Sequence, residues 1–238
     1  MKKTKLKVLS TKVLNQETLD KASVNDITID ELPFITTEPI NTDELKNILR
    51  GFLQQNITAV FTSKNSVKAF DQIVNAEVPW KIFCIGNSTK NFVSKIFGEE
   101  KVSGIADSAA ELSDVILQDE AIKKVIFFCG RQRREELPEK LKANEVEVEE
   151  IIVYETWETP QKITKKIYDG ILFFSPSAVK SFFSLNKINE QTKIFAIGKT
   201  TADAILQHIN KEIIIAETPG EEDIIDQVIT HFSTTKIA

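Results

Sequence analysis

A chain of 238 residues with 42% hydrophobic and 27% charged residues can form one large or two small domains, and its composition is that of a soluble globular protein. Its formal net charge of −5 argues against nucleic-acid binding through a general basic surface. No apolar run approaches the ~18 residues of a membrane span, and the amino terminus lacks the apolar segment of a secretory signal. We therefore expect a cytoplasmic protein without nucleic-acid or membrane partners.

The predicted elements alternate between strands and helices along the chain. Residues 5–39 predict strand, helix, strand and an extended exit that contains proline. Residues 42–118 predict the strands "AVFT" and "IFCIG" and a third near Val102, each followed by a helix; "SAAE" has the pattern of a capping box. This alternation predicts an α/β fold with parallel sheets covered on both faces.

The second half of the chain repeats this order. Residues 123–160 predict the strand "VIFFCG", a helix and the strand "EEIIVYET", which we expect to end at Tyr154. Residues 160–232 predict the strands "ILFF", "IFAIG" and "EIIIA", and Ser175 followed by Pro176 predicts a helix start. The extended segments 33–39 and 154–160 are predicted to link two domains.

A shift of 112 residues aligns the chain with itself. "VFTSKNSVKAF" falls on "LFFSPSAVKSF" and "KIFCIGNST" falls on "KIFAIGKTT", with 11 identities in the 30 positions 60–89. The period is far longer than that of a solenoid repeat. We predict a duplicated A–B–A′–B′ chain that forms two similar doubly wound parallel-sheet domains joined by two extended linkers.

Several catalytic motifs are excluded. "IGKTT" ends like a phosphate-binding P-loop, but Lys193 stands where the first glycine of that loop is required, and the duplicate "IGNST" has no lysine. There is no Gly-x-Gly-x-x-Gly and no Gly-x-Ser-x-Gly. Cys84 and Cys129 lie in apolar strands and the two histidines are scattered, so we predict no metal site.

Hydroxyl side chains follow four predicted strands where helices begin. Such turns lie at the carboxyl ends of parallel strands, where ligands bind, and helix N-termini attract anions. Each hydroxyl could instead cap its own helix. If the two domains face each other, the turns line one cleft suited to a ligand with several carboxylates. The candidate hydroxyls are Thr62, Ser63, Ser88, Thr89, Ser175, Ser177, Thr200 and Thr201.

Basic side chains lie in similar positions. Arg131 directly follows the strand "VIFFCG", and an arginine can bind a carboxylate through two hydrogen bonds. Lys64 and Lys199 lie in the hydroxyl-rich turns. For Arg134, next to two glutamates, a solvated surface is the preferred interpretation. From residues and spacing alone, the prediction is a two-domain α/β protein that binds a polycarboxylate.

The sequence resembles the uroporphyrinogen-III synthase family over essentially its whole length. The resemblance is carried by "FTSKNSVKAF", "IGNSTKNFVSKI", "VIFFCGRQRREELPEKL", "VYET", "DGILFFSPSAVKSFF" and "AIGKTTADAI", in the family's order. It implies that residues 1–34 and 158–238 form one discontinuous domain and that residues 38–154 form the other. It further implies a monomeric, cofactor-free lyase that cyclises hydroxymethylbilane, a linear tetrapyrrole, to uroporphyrinogen III in haem biosynthesis.

The resemblance also assigns roles. Water is lost, the last pyrrole ring is inverted through a spiro intermediate, and the macrocycle closes. The eight hydroxyl residues become candidates for substrate binding, and Tyr154 becomes the candidate proton donor. Lys64, Arg131 and Lys199 remain substrate-binding candidates on the basis of their positions in the sequence. The alternatives are a binding or sensor module that kept the ligand site but not the chemistry, and an enzyme that acts on a phosphate ester, which the failed P-loop disfavours.

Overall fold

The computed structural model describes residues 5–74, 76–164 and 167–234. The chain divides into two compact units: unit 1 comprises Met1–Thr36 with Trp157–Ala238, and unit 2 comprises Thr37–Thr156. The strands are β1 Leu6–Ser10, β2 Ile27–Glu31, β3 Ile35–Pro39, β4 Thr58–Phe61, β5 Lys81–Ile85, β6 Val102–Ala106, β7 Lys124–Gly130, β8 Glu147–Glu158, β9 Gly170–Phe173, β10 Lys193–Ala196 and β11 Ile214–Ile215. The α-helices are α1 Gln16–Val24, α2 Asp43–Phe52, α3 Lys64–Val74, α4 Gly86–Phe97, α5 Ala109–Leu117, α6 Glu136–Ala143, α7 Pro176–Leu185, α8 Lys199–Leu206 and α9 Glu221–Thr234.

Unit 1 is built on a five-stranded sheet with the order β11-β10-β9-β1-β2, in which all neighbouring pairs are parallel. Successive strand residues enter opposite cores, as side-chain alternation in a strand requires. Leu9 and Phe173 pack with α7 and α8 on one face, whereas Val8 and Leu172 pack with α9 on the other. The sheet is therefore covered on both faces.

Unit 2 is built on a six-stranded sheet with the order β3-β8-β7-β4-β5-β6, and the pairs from β8 to β6 are parallel. Phe61 and Phe128 stack with ring centroids 5.1 Å apart in the core beneath α3 and α4. Val60 and Phe127 point to the opposite face, where they pack against α5 and α6. Burying each of these side chains contributes on the order of 1.5–3 kcal/mol to stability.

Two predicted helix starts are confirmed. The Ser108 hydroxyl accepts a hydrogen bond from the Glu111 backbone N–H at 3.2 Å, and the Glu111 carboxylate accepts one from the Asp107 N–H. Ser175 accepts from the Ala178 N–H at 3.1 Å. Both caps satisfy N–H groups that have no partner within the helix.

The predicted end of one strand is wrong. We expected "EEIIVYET" to end at Tyr154, but β8 continues to Glu158. The chain also pairs on both sides of this region, since β8 lies between β3 and β7 in the sheet. Tyr154 therefore lies inside the strand and not at its end. Pairing with the neighbouring strands extends β8 beyond the apolar run.

Candidate functional site

In each unit, the predicted site residues lie at the carboxyl ends of neighbouring strands. In unit 2, turns follow the adjacent strands β7, β4 and β5, and β8 lies beside β7. They bring Thr62, Ser63, Lys64, Ser88, Thr89, Arg131 and Tyr154 to one edge of the sheet. In unit 1, the turns after the adjacent strands β9 and β10 bring together Ser175, Ser177, Lys199, Thr200 and Thr201.

Two of these turns, after β4 and β9, satisfy their own hydrogen bonds; we call them the capped turns. In unit 2, the Ser63 hydroxyl accepts from the Asn65 N–H at 3.2 Å, and the Ser66 hydroxyl donates to the Ser63 carbonyl at 2.7 Å. In unit 1, Ser175 caps α7. For Ser63 and Ser175, the capping interpretation raised by the sequence is thus the one realised locally.

The turns after β5 and β10 are different, and we call them the uncapped turns. The residues that precede α4 and α8 are Ile85 and Gly198, and within the described part of the chain neither contributes a side-chain hydrogen bond to its helix. The residue before each of these helices therefore supplies no side-chain acceptor to the first N–H groups. Their positive dipole ends favour a negatively charged ligand.

The paired hydroxyls of the uncapped turns have opposite exposures. Ser88 and Thr200 are exposed, whereas Thr89 and Thr201 are 5% and 3% exposed. Thr89 shares the buried stripe of α4 with Val93 and Phe97, at intervals of four residues. In both units, the first hydroxyl faces solvent and the second packs toward the core.

The glycines that open the two uncapped turns do not share a conformation. Gly86 has a φ of 71°, in the left-handed region, and a side chain there would strain the backbone. Gly198 has a φ of 179°, which is ordinary extended backbone. The duplicated sequence "IG" thus leads into two differently shaped turns.

Tyr154 is half-buried against the core beneath α3. Its ring lies across Gly130: a Cβ at that glycine would lie 2.5 Å from Cζ and 2.8 Å from Oη of the tyrosine. Burial raises the pKa of the phenol above its ordinary value, and a hydrogen bond with the Ser63 side chain opposes this increase. The group is therefore a protonated phenol at neutral pH.

Arg131 is mostly exposed, and its guanidinium pairs with Glu155, a residue of β8 in the same unit. Arg133 is more buried and pairs with Glu150, which also accepts a hydrogen bond from Lys142 at 3.1 Å. Burial would raise the pKa of Glu150, but these two cations hold it below its ordinary value. The ion pair of Arg133 with Glu150 is therefore the more buried of the two, whereas Arg131 pairs with Glu155 close to solvent.

A groove of about 790 Å³ in unit 2 lies away from these residues. It is formed at the amino ends of β4, β5 and β7, beside Thr58, Lys81 and Lys124, with Trp80 in its wall. The predicted site residues of unit 2 lie at the opposite ends of these strands or on the neighbouring β8. Because chemistry-bearing turns in parallel sheets lie at carboxyl ends, we assign the candidate site to those turns and not to the groove.

Neither thiol is suited to nucleophilic chemistry. Cys84 and Cys129 are buried, and desolvation raises their pKa values to about 11 and about 12. A protonated buried thiol is unreactive. In residues 5–74, 76–164 and 167–234, no group of three or more His, Cys, Asp and Glu side chains is arranged to hold a metal ion, and no helix there is long and apolar enough to cross a membrane.

The packing of the Tyr154 ring across Gly130 was not predicted. The sequence analysis singled out Tyr154 and the strand that ends in Gly130, but not their contact. A glycine that closes an otherwise bulky apolar strand was the available signal, since it often marks a close approach.

The chain is similar to known proteins in both sequence and fold. The family model described as uroporphyrinogen-III synthase HemD matches residues 17–226. Uroporphyrinogen-III synthase of Saccharomyces cerevisiae is 19% identical over 216 residues, which cover 76% of this chain and 78% of that protein. A mutant uroporphyrinogen III synthase of the extremely thermophilic bacterium Thermus thermophilus superposes with a TM-score of 0.63 at 13% identity, covering 96% of this chain and 99% of that one. The corresponding synthetase of Helicobacter pylori gives 0.62 at 15% identity, covering 95% and 99%. The solved structures confirm the predicted α/β fold with parallel sheets.

Proposed function

The chain belongs to the uroporphyrinogen-III synthase family, and on this premise we propose how its residues carry out the reaction. The enzyme cyclises hydroxymethylbilane to uroporphyrinogen III in haem biosynthesis. The substrate is a flexible linear tetrapyrrole with eight carboxylates, and without guidance it closes without ring inversion. The protein must therefore impose one conformation, which is catalysis by positioning.

We propose that the uncapped turns bind substrate carboxylates, one turn from each unit. The observation that carries this proposal is that the residues before α4 and α8, Ile85 and Gly198, supply no side-chain cap in the described chain. The exposed hydroxyls of Ser88 and Thr200 would donate to the same carboxylates, while Thr89 and Thr201 hold the turns against the cores. Hydrogen bonds to a charged acceptor contribute about 1.5–3 kcal/mol each when well formed.

Other predicted residues extend these surfaces. Thr62, Lys64, Ser177 and Lys199 lie beside the helix starts and are proposed as further carboxylate contacts. Arg131 would exchange its exposed partner Glu155 for a substrate carboxylate. Ser63 and Ser175 serve first as caps, and Ser63 also contacts the phenol of Tyr154.

Tyr154 is proposed to be the proton donor. The C–O bond of the hydroxymethyl group breaks with its electron pair on oxygen, the phenol proton passes to that oxygen, and water leaves. The pyrrole nitrogen supplies the electron pair that replaces the lost bond, so a weak acid is sufficient. When the macrocycle closes, through a spiro intermediate that inverts the last ring, the ring carbon loses a proton that restores the phenol.

We propose that the enzyme works as a monomer in the cytoplasm, without a cofactor or metal. A reducing compartment suits two buried free thiols, Cys84 and Cys129. The proposed residues supply hydrogen bonds and one proton, and the cyclisation requires no other group.

Product analysis tests this function directly. Freshly generated hydroxymethylbilane is incubated with the protein, the products are oxidised, and the type I and type III isomers are separated. We expect predominantly type III. A mixture equal to that of the protein-free control would instead support the binding-module alternative.

A further inference from the structure

The side chain of Tyr154 is directed by an irregularity in the pairing of β7 with β8. Up to Cys129, which pairs with Ile152, the two strands advance together; Gly130 then pairs with Tyr154. Val153 is thus an extra residue, and the strand contains a β-bulge. Bulges change the direction of the side chains that follow them.

The consequence is visible in the packing of β8. Ile151 and Val153 face the core beneath α3, and strict alternation would place the next side chain on the opposite face. Tyr154 nevertheless packs against that same core. The backbone is fixed at this point, because the Arg131 N–H donates to the Tyr154 carbonyl at 3.0 Å.

Gly130 provides the space into which the redirected ring fits. A methyl group at this position would lie 2.5 Å from Cζ, 2.7 Å from Cε2 and 2.8 Å from Oη of Tyr154. These distances are far below van der Waals contact, and the affected atoms include the phenol oxygen itself. Any side chain at residue 130 must displace the end of the tyrosine that carries the proton.

We propose that Gly130 is a positioning residue of the active site: together with the bulge at Val153, it forms the seat that holds the Tyr154 phenol in place. This inference rests on the proposed role of Tyr154 as proton donor. It predicts that Gly130, although it has no side chain, affects kcat, and that it does so only through the position of Tyr154.

The matched control is Gly104, on β6 of the same sheet. A methyl group there would be equally crowded, at 2.6 Å from Phe83 and 2.8 Å from Val115, but it would not touch Tyr154. Gly104→Ala therefore reproduces the packing strain without the displaced phenol. The kinetic experiment compares Gly130→Ala, Gly104→Ala, Tyr154→Phe and Gly130→Ala/Tyr154→Phe for formation of the type III isomer.

We expect Gly130→Ala to lower kcat by about 10-fold or more with little change in KM, as a misplaced general acid should. Gly104→Ala should keep wild-type kcat even where its melting temperature falls. The double variant should be no slower than Tyr154→Phe alone, because the oxygen that Gly130 positions is already absent. Wild-type kcat in Gly130→Ala beside an impaired Tyr154→Phe overturns this inference alone. A fully active Tyr154→Phe overturns the proton-donor role on which the inference rests, and a wild type that forms no type III isomer overturns the proposed function.

A stability cycle decides the matter if Gly130→Ala does not fold. Tyr154→Ala removes the ring that the new methyl group would strike. We expect Gly130→Ala/Tyr154→Ala to fold with a melting temperature near that of Tyr154→Ala, even where Gly130→Ala alone is strongly destabilised. A double variant as unstable as Gly130→Ala would show that the ring is not what the glycine accommodates.

Discussion

The capped and uncapped turns begin alike in sequence, with hydroxyl residues after a buried strand, yet they use those hydroxyls differently. After β4 and β9, Ser63 and Ser175 accept hydrogen bonds from the backbone that follows them. After β5 and β10, the residue before the helix is Ile85 or Gly198, which has no polar side chain to make such a bond, and Ser88 and Thr200 are exposed. A hydroxyl at a helix start is therefore evidence for binding only where it is not already the cap.

The largest expected effect concerns Tyr154. This residue interacts with Ser63 of a capped turn, so its substitution tests whether that turn also serves catalysis. Tyr154→Phe keeps the ring and removes the oxygen. We expect turnover to fall about 10- to 100-fold, within the range of general-acid contributions, with little change in melting temperature. Initial rates of type III formation and thermal unfolding, measured on the same preparations, check both. Near-wild-type turnover in a folded variant would leave the protein without a dedicated acid.

The pH dependence of the same enzyme provides a control. The acid must be protonated, and burial holds its pKa above the ordinary value of about 10. Deprotonation of Tyr154 can therefore lower kcat only as the pH rises through that higher pKa. The ratio of wild-type to Tyr154→Phe rates should therefore stay constant between about pH 7 and 9; a ratio that declined in this interval would contradict the assignment.

A carboxylate placed in each kind of turn should give the next largest difference. Thr200→Asp puts a negative charge where a substrate carboxylate is proposed to bind, and a repulsion of about 1.4 kcal/mol would raise KM about tenfold. The same charge should stabilise α8 slightly through the helix dipole. Ser175→Asp is the matched control, since aspartate is an equally good cap. Equal KM values for the two variants would remove the distinction between the turns.

Removing the hydroxyls should separate binding from stability with smaller effects. Ser88→Ala should raise KM about fivefold without changing the melting temperature. This corresponds to about 1 kcal/mol, less than a well-formed bond to a carboxylate contributes, because Ser88 is exposed and water can replace its hydroxyl. Ser175→Ala should lower stability by about 1 kcal/mol, or about 2–4 °C in melting temperature, without changing KM. A loss of stability in Ser88→Ala together with a higher KM in Ser175→Ala would contradict the distinction between the two kinds of turn.

Much of the fold could be predicted from the sequence because it depends on local signals. Alternating apolar strands and helices, and the caps at Ser108 and Ser175, all lie within short stretches. The burial of Thr89 was also within reach, since Val93 and Phe97 follow it at helical intervals. That spacing would have identified Ser88 as the exposed partner.

The seat of Tyr154 could not be predicted in the same way. It depends on the pairing of β7 with β8, on one unmatched residue in that pairing, and on a glycine 24 positions away in sequence. None of these follows from local preference or periodicity. The partner of Arg131 is likewise set by the adjacent strand, which places Glu155 beside it.

The bulge at Val153 makes the length of β8 as important as its composition. Because this length counts relative to β7, a protein engineer who inserted one residue into β7 between Cys129 and Gly130 would give Val153 a partner, restore regular pairing and keep every side chain of β8. The tyrosine would then turn toward the opposite face of the sheet and leave an intact fold with a misdirected phenol. In redesign of this protein, single-residue insertions and deletions upstream of the tyrosine are therefore more hazardous than most substitutions there.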